Sequence, residues 1–186
     1  RTRRLFARAA ARADRTVLVA PPGPQGGYPV QELRPGAAVG VALSTGDVSL
    51  GAVGTVAYRD GNQVFAFGHA LDGAGRRSLF LQDSYVFGVI GNPLGSVDFG
   101  VMTYKLTASG GHPVGSATND AFTAVTGTVG PQPASIPLHV TARMRGGSAR
   151  VSLHSRLADE RELGYGAGAG IVAPLAASTA TDRLLG

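Results

Sequence analysis

His69 closes the stretch QVFAFGH, and Asp72 follows three positions later. A free imidazole titrates near neutrality, so a histidine held on a rigid support can take a proton from a nucleophile and return it. Asp72 is close enough in sequence to accept a hydrogen bond from a ring nitrogen and set the ring's orientation. Gly68 would let the chain turn sharply beside the ring. A plainer reading competes: a histidine where a strand gives out often does no more than satisfy a local polar contact. Both readings remain open at the level of His69 and Asp72 alone.

The other polar candidates are weaker. His139 and His154 fall opposite each other if Gly146-Gly147 makes a hairpin turn, and two facing imidazoles could share a metal. A zinc site wants three or four ligands, and no Asp or Glu lies within two residues of either histidine. Two solvated histidines on a polar face are the expectation, with no metal. The same register sets Arg143 against Arg150, an unfavourable like-charge pair that either splays into water or holds an anion. His112, in SGGHPVG, reads as a turn residue. GVIGNPLG and GAGAG lack the spacing of a dinucleotide fingerprint. Lys105 is the sole lysine and follows no glycine loop, which excludes a Walker-type phosphate loop. No cofactor is implied.

The elements that would position these groups are short strands. From Ala37 onward, apolar runs alternate with Gly, Pro, Asn and Asp: VGVAL, VSLGAVGTVAY, QVFAF, VDFGVMTYKLTA, FTAVTGTV, SIPLHVTARM and ARVSLHSRL. LFLQDSYVFGVI fits helix or strand equally. The tail from GAGAG onward opens glycine-rich and is expected to finish as a short helix from Ala176. With Asp60-Gly61 as a two-residue turn, Val56 would face Phe65, Gly54 would face Phe67, and Ala52 would face His69. Period two then puts Phe65, Phe67 and His69 on one face, with the imidazole emerging partly buried at its end. The Gly146-Gly147 hairpin pairs Arg143 with Arg150, Thr141 with Ser152, and His139 with His154. Its other face carries Val140, Ala142, Val151 and Leu153.

Composition agrees with a turn-rich β domain. The 186 residues include 28 glycines, well above the usual ~7%, and 16% charged residues against the usual ~25%. The predicted fold is all-β, a barrel or sandwich, with a short N-terminal helical arm and a C-terminal helix. The arm spans residues 1–19, a Pro/Gly linker spans 20–29, and the barrel-like domain spans 30–186. Six arginines in RTRRLFARAAARADR, against one Asp14, account for the net charge of +5. Without stacking aromatics or a base-reading element, that arm reads as a solvated helix face and nucleic acid is not an expected partner. No stretch reaches the ~18 apolar residues of a membrane span. A start at Arg1 rather than Met is what a fragment of a longer chain would show.

GVALSTGDVSLGAVGTVAYRDGNQVFAFGHAL, residues 40–71, resembles the histidine-bearing segment of the SpoIVB-type (stage IV sporulation protein B) serine peptidase family, and a broader bacterial branch of it most of all. The likeness extends through PVGSATNDAFTAVTGTVGPQPASIPLHVTAR, so that it covers roughly residues 30–143. It implies a chymotrypsin-like β-barrel hydrolase in which His69 matches the general base. The substrate it implies is a protein or peptide, including the protein's own chain, and the location it implies is the cell envelope or outside the cell. The family's nucleophile sits in a Gly-Met-Ser-Gly-Ser-Pro box, and no serine of this chain has that context. In the broader branch the box precedes the histidine segment. The family's acidic residue has no match either; Asp72 and Asp98 are local candidates only.

A base without a nucleophile does not hydrolyse peptides. The expectation is therefore a fragment of a SpoIVB-like serine endopeptidase, inactive by itself, with His69 as its base. The alternative is a non-catalytic β-rich binding or scaffold module in which His69 caps a strand. Either could self-associate through an open sheet edge.

Overall fold

The computed structural model describes residues 27–91, 103–108, 110–160 and 167–185. The expected arm over 1–19, most of the expected linker, and Asp98 lie outside the described residues. What is described is all-β and barrel-like with one C-terminal helix, as the composition and strand pattern predict.

Ten strands follow in order: β1 (Ala38–Gly46), β2 (Leu50–Asp60), β3 (Gln63–Ala66), β4 (Gly75–Asp83), β5 (Val86–Gly91), β6 (Thr103–Thr107), β7 (Pro113–Ala121), β8 (Ala124–Val129), β9 (Ser135–Arg143) and β10 (Arg150–Ala158). The helix, α1, is Ala167–Leu185. Every pairing is antiparallel. The hydrogen-bonded order β2-β3-β8-β7-β4-β1 closes on itself, because β1 also pairs with β2. The result is a six-stranded barrel without edges. Its first four strands run 4-1-2-3 in space, a Greek key, and the β7–β8 hairpin fills the gap between β4 and β3.

β1 is the hub. Its first half pairs with β2 and β4, while Ser44–Gly46 pairs with β10. That hand-over attaches the β9–β10 ribbon to the barrel. Residues Ala38–Thr45 are buried without alternation, since both faces of the strand are covered, which is why VGVAL reads as a continuous apolar run. Val39, Val41, Val56, Val64, Ala66, Leu79, Leu81, Ala117 and Val125 are among the buried residues of the core cluster. LFLQDSYVFGVI resolves as the end of β4 and then β5, with the break at Ser84-Tyr85.

Two expectations need correction. The helix begins at Ala167, nine residues before Ala176. Gly168, Val172, Ala176 and Ala180 form its buried stripe, and a Cβ at Gly168 would already touch Leu43 and Leu157 at 3.4 and 3.6 Å. Close packing of small residues on the ribbon outweighs the low helix propensity of glycine. In the first hairpin the turn residues are Gly61 and Asn62, not Asp60 and Gly61, because Asp60 pairs with Gln63. Gly61 takes φ +55° at the first central position, the position where a type II′ turn requires glycine. A bulge between Val56 and Tyr58 then sets Val56 opposite Ala66. The core face of β3 therefore carries Val64 and Ala66, while Phe65 turns outward beside Tyr58, ring centroids 5.9 Å apart.

The second hairpin has the expected register at every pair, from Arg143–Arg150 through His139–His154. Its loop is longer than two residues, spanning 144–149 and closed by the Met144 N–H donating to the Ala149 carbonyl at 3.1 Å.

Candidate functional site

The loop that carries His69 starts with backbone strain. β3 stops at Ala66, and the Gly68 N–H donates to the Ala66 carbonyl at 2.9 Å across Phe67, whose φ is +71°. This is a γ-turn of the positive-φ kind, rare and strained for a bulky residue. It persists because Phe67 is fixed on both sides. Its N–H donates to the Thr55 carbonyl at 2.9 Å, and its ring lies over the bare backbone of Gly54, where a Cβ would come within 2.8 Å of Cδ1. The strand alternation ends at this turn, so His69 does not continue the face of Phe65.

The His69 side chain is exposed rather than half-buried. Its ring stands edge-on to Phe67, centroids 5.9 Å apart at 85°. Nδ1 is 2.7 Å from the carbonyl oxygen of Ala70. A carbonyl only accepts, so Nδ1 carries the proton and Nε2 is left with its lone pair. That is the tautomer a general base needs, set by the backbone and not by a carboxylate.

Asp72 is committed elsewhere. Both of its carboxylate oxygens take Nη1 of Arg77 at 2.6 Å, and Oδ1 also accepts the Ala74 N–H at 3.1 Å. No hydrogen bond joins it to His69, so Asp72 does not orient the imidazole. Arg77, with 4% of its side chain exposed, also donates through Nε to Glu160 at 3.1 Å. Burial alone would push the Arg77 pKa down; the bonds and charges of Asp72 and Glu160 reverse this and leave it raised. The loop is thereby tied to the segment after β10.

A carboxylate that the sequence did not single out fixes the loop from beneath. Asp120, at the end of β7 and 1% exposed, accepts the backbone N–H groups of Leu71, Asp72 and Gly73 at 2.7, 2.8 and 2.8 Å. Burial raises its pKa, but the hydrogen bonds lower it further, to about 2. Asp120 stays ionised and holds the residues just after His69. Nothing local marks it, since its partners lie 47–49 positions away.

His112 is also more than a turn residue. Its Nδ1 is 3.1 Å from Oδ2 of Asp83, whose side chain is 2% exposed. Asp83 further accepts the His112 N–H at 2.5 Å and the Gln31 N–H at 2.6 Å. Tyr28 stacks on Tyr85 beside them, centroids 4.4 Å apart. The cavity among these residues is about 10 Å³, room for about one water. The dyad has the carboxylate that His69 lacks and no space for a substrate.

His139 and His154 meet on the exposed face of the β9–β10 ribbon, Nδ1 to Nδ1 at 2.8 Å. At that distance one nitrogen donates and the other accepts. Among the described residues no group of three or more His, Cys, Asp or Glu is placed to hold a metal. Nor does any hydroxyl there hydrogen-bond His69. No helix among them is long and apolar enough to cross a membrane. Compared with family models, curated proteins and solved structures, the chain matches none.

Proposed function

We propose that this chain is the histidine-bearing barrel of a SpoIVB-like serine peptidase, which presents His69 as general base to a serine supplied from outside the described residues. The observation that carries this reading is the Nδ1–Ala70 hydrogen bond, which leaves Nε2 unprotonated on an exposed ring. Strain at Phe67 and the Asp120 anchor lend it weight, because a costly backbone persists only where its surroundings hold it. In the reaction, Nε2 takes the serine proton as Oγ attacks the peptide carbonyl. The imidazolium then protonates the leaving amine, and a water repeats the sequence to free the acid. The Ala70 carbonyl faces Nδ1–H throughout and holds the ring's orientation. Among the described residues no serine is in place as the nucleophile.

The exposure of the ring favours a second reading, a non-catalytic β scaffold with His69 at a loop surface. A fluorophosphonate probe separates the two. In the first reading it labels the protein in its full natural context and fails to label the His69→Ala variant. Equal labelling of both, or of neither, leaves the scaffold.

A further inference from the structure

The outer face of the β9–β10 ribbon is a ladder of positive and hydroxyl groups that the peptidase reading does not use. Its rungs are Arg143–Arg150, Thr141–Ser152, His139–His154 and Pro137–Arg156. They span about 20 Å at the usual strand rise. Arg145 adds a further charge in the loop beyond the first rung. The arginines and histidines of this face are all exposed. The opposite face, with Leu153 and Leu157 buried, is taken up by the core and α1.

None of these arginines has an acidic partner among the described residues. Arg156 donates to Gln132 and Ser135 and lies 5.3 Å over the Phe80 ring, all neutral groups. Arg150 donates to the Ser152 hydroxyl at 3.2 Å. Asp47, beside His154, is occupied by the His154 N–H and by Arg183. Arginines directly opposite each other repel and destabilise a ribbon, so the Arg143–Arg150 rung is a cost without an internal return. An external polyanion would supply one.

We propose that this face docks on an anionic phospholipid bilayer. Met144 chooses the partner. It sits between Arg143 and Arg145 at the ribbon's tip, 40% exposed. A bilayer can take up that side chain just below its phosphates, whereas a nucleic-acid backbone gains nothing from it. The ladder also lacks the aromatic side chains that stack bases, and the Asn or Gln amides that read them.

The test is sedimentation of the full chain with vesicles of phosphatidylcholine containing about one-third phosphatidylglycerol, against pure phosphatidylcholine, at low and high salt. At about fivefold per arginine near a charged surface, Arg143→Gln/Arg150→Gln weakens anionic-vesicle binding about thirtyfold. Met144→Ser weakens it severalfold. Arg34→Gln, an exposed arginine elsewhere, changes it little. The double variant also keeps or raises Tm, since it relieves repulsion, so a binding loss cannot be charged to unfolding. Unchanged binding in the double variant overturns the proposal. So does tighter binding to duplex DNA than to the vesicles with the same dependence on Arg143 and Arg150, which assigns the face to nucleic acid.

Discussion

His69 and His112 divide between them what a catalytic histidine needs. His112 has a buried carboxylate on Nδ1, a second bond from its own backbone to the same group, and space for about one water. His69 has an exposed ring, a backbone carbonyl in place of the carboxylate, and strain immediately before it. A residue locked on all sides contributes to stability. One held only through its backbone, with its reactive nitrogen open, contributes little to stability and is free to act on something else. The two loops should therefore respond in opposite ways to substitution.

The supports of the His69 loop carry the largest expected effects. Arg77→Ala removes the guanidinium that faces Glu160, whose side chain is 1% exposed, and should cost about 3–5 kcal/mol in urea unfolding, as breaking a buried ion pair does. Arg77→Met/Glu160→Gln removes the buried charge as well and should recover much of that loss. If the double variant is no better than the single one, the ion pair is not what ties the loop down. Asp120→Ala takes the shared acceptor from three backbone N–H groups of the loop and should cost about 2–3 kcal/mol. Amides of Leu71, Asp72 and Gly73 should then exchange with solvent markedly faster, while the β9–β10 ribbon stays protected.

Acid should reveal the same anchor. The folded pKa of Asp120, about 2, lies below the unfolded value near 3.9, so its contribution is complete above about pH 4 and fades as pH falls through 2. The amount is about 2 kcal/mol. Asp120→Asn should flatten that limb of the stability profile. An unchanged limb would mean that other carboxylates govern acid unfolding.

These supports show where sequence reading reached and where it stopped. The β9–β10 register was legible because one face is apolar and the other polar, so a slip by one residue would bury Arg143 and expose Leu153. In β2–β3 both faces are small or apolar, a slip costs little in pattern, and Gly61 rather than Asp60 took the first turn position. Asp120 and Asp83 were invisible for another reason. Each binds backbone N–H groups far away in the chain, and a backbone donor carries no residue type to read. Asp72 was plausible by proximity alone, and Arg77, five positions on, claimed it. The start of α1 was hidden because its glycines argue against helix, while what holds it is a tertiary contact with Leu43 and Leu157 that no local pattern shows.

Gly111 tests the His112 side of the contrast. A Cβ there would overlap the carboxylate and carbonyl oxygens of Asp83, so Gly111→Ala should cost about 3 kcal/mol, near the upper end of overpacking penalties. His112→Ala removes one donor from a buried carboxylate that keeps two backbone donors, and should cost about 1–2 kcal/mol.

The smallest expected stability effect belongs to His69→Ala. The side chain touches the fold through one bond to Ala70 and the edge of Phe67, and Tm should stay within about 2 °C of the unsubstituted protein. Its chemistry should nevertheless stand out. Nitrogen chemical shifts of the neutral ring should show the proton on Nδ1, and diethyl pyrocarbonate should modify His69 ahead of His112, because Nε2 of His69 is exposed while His112 is held against Asp83. A large drop in Tm for His69→Ala would make His69 a structural residue like His112. With it would go the argument that an exposed imidazole on an anchored loop is kept for a partner that the barrel does not contain.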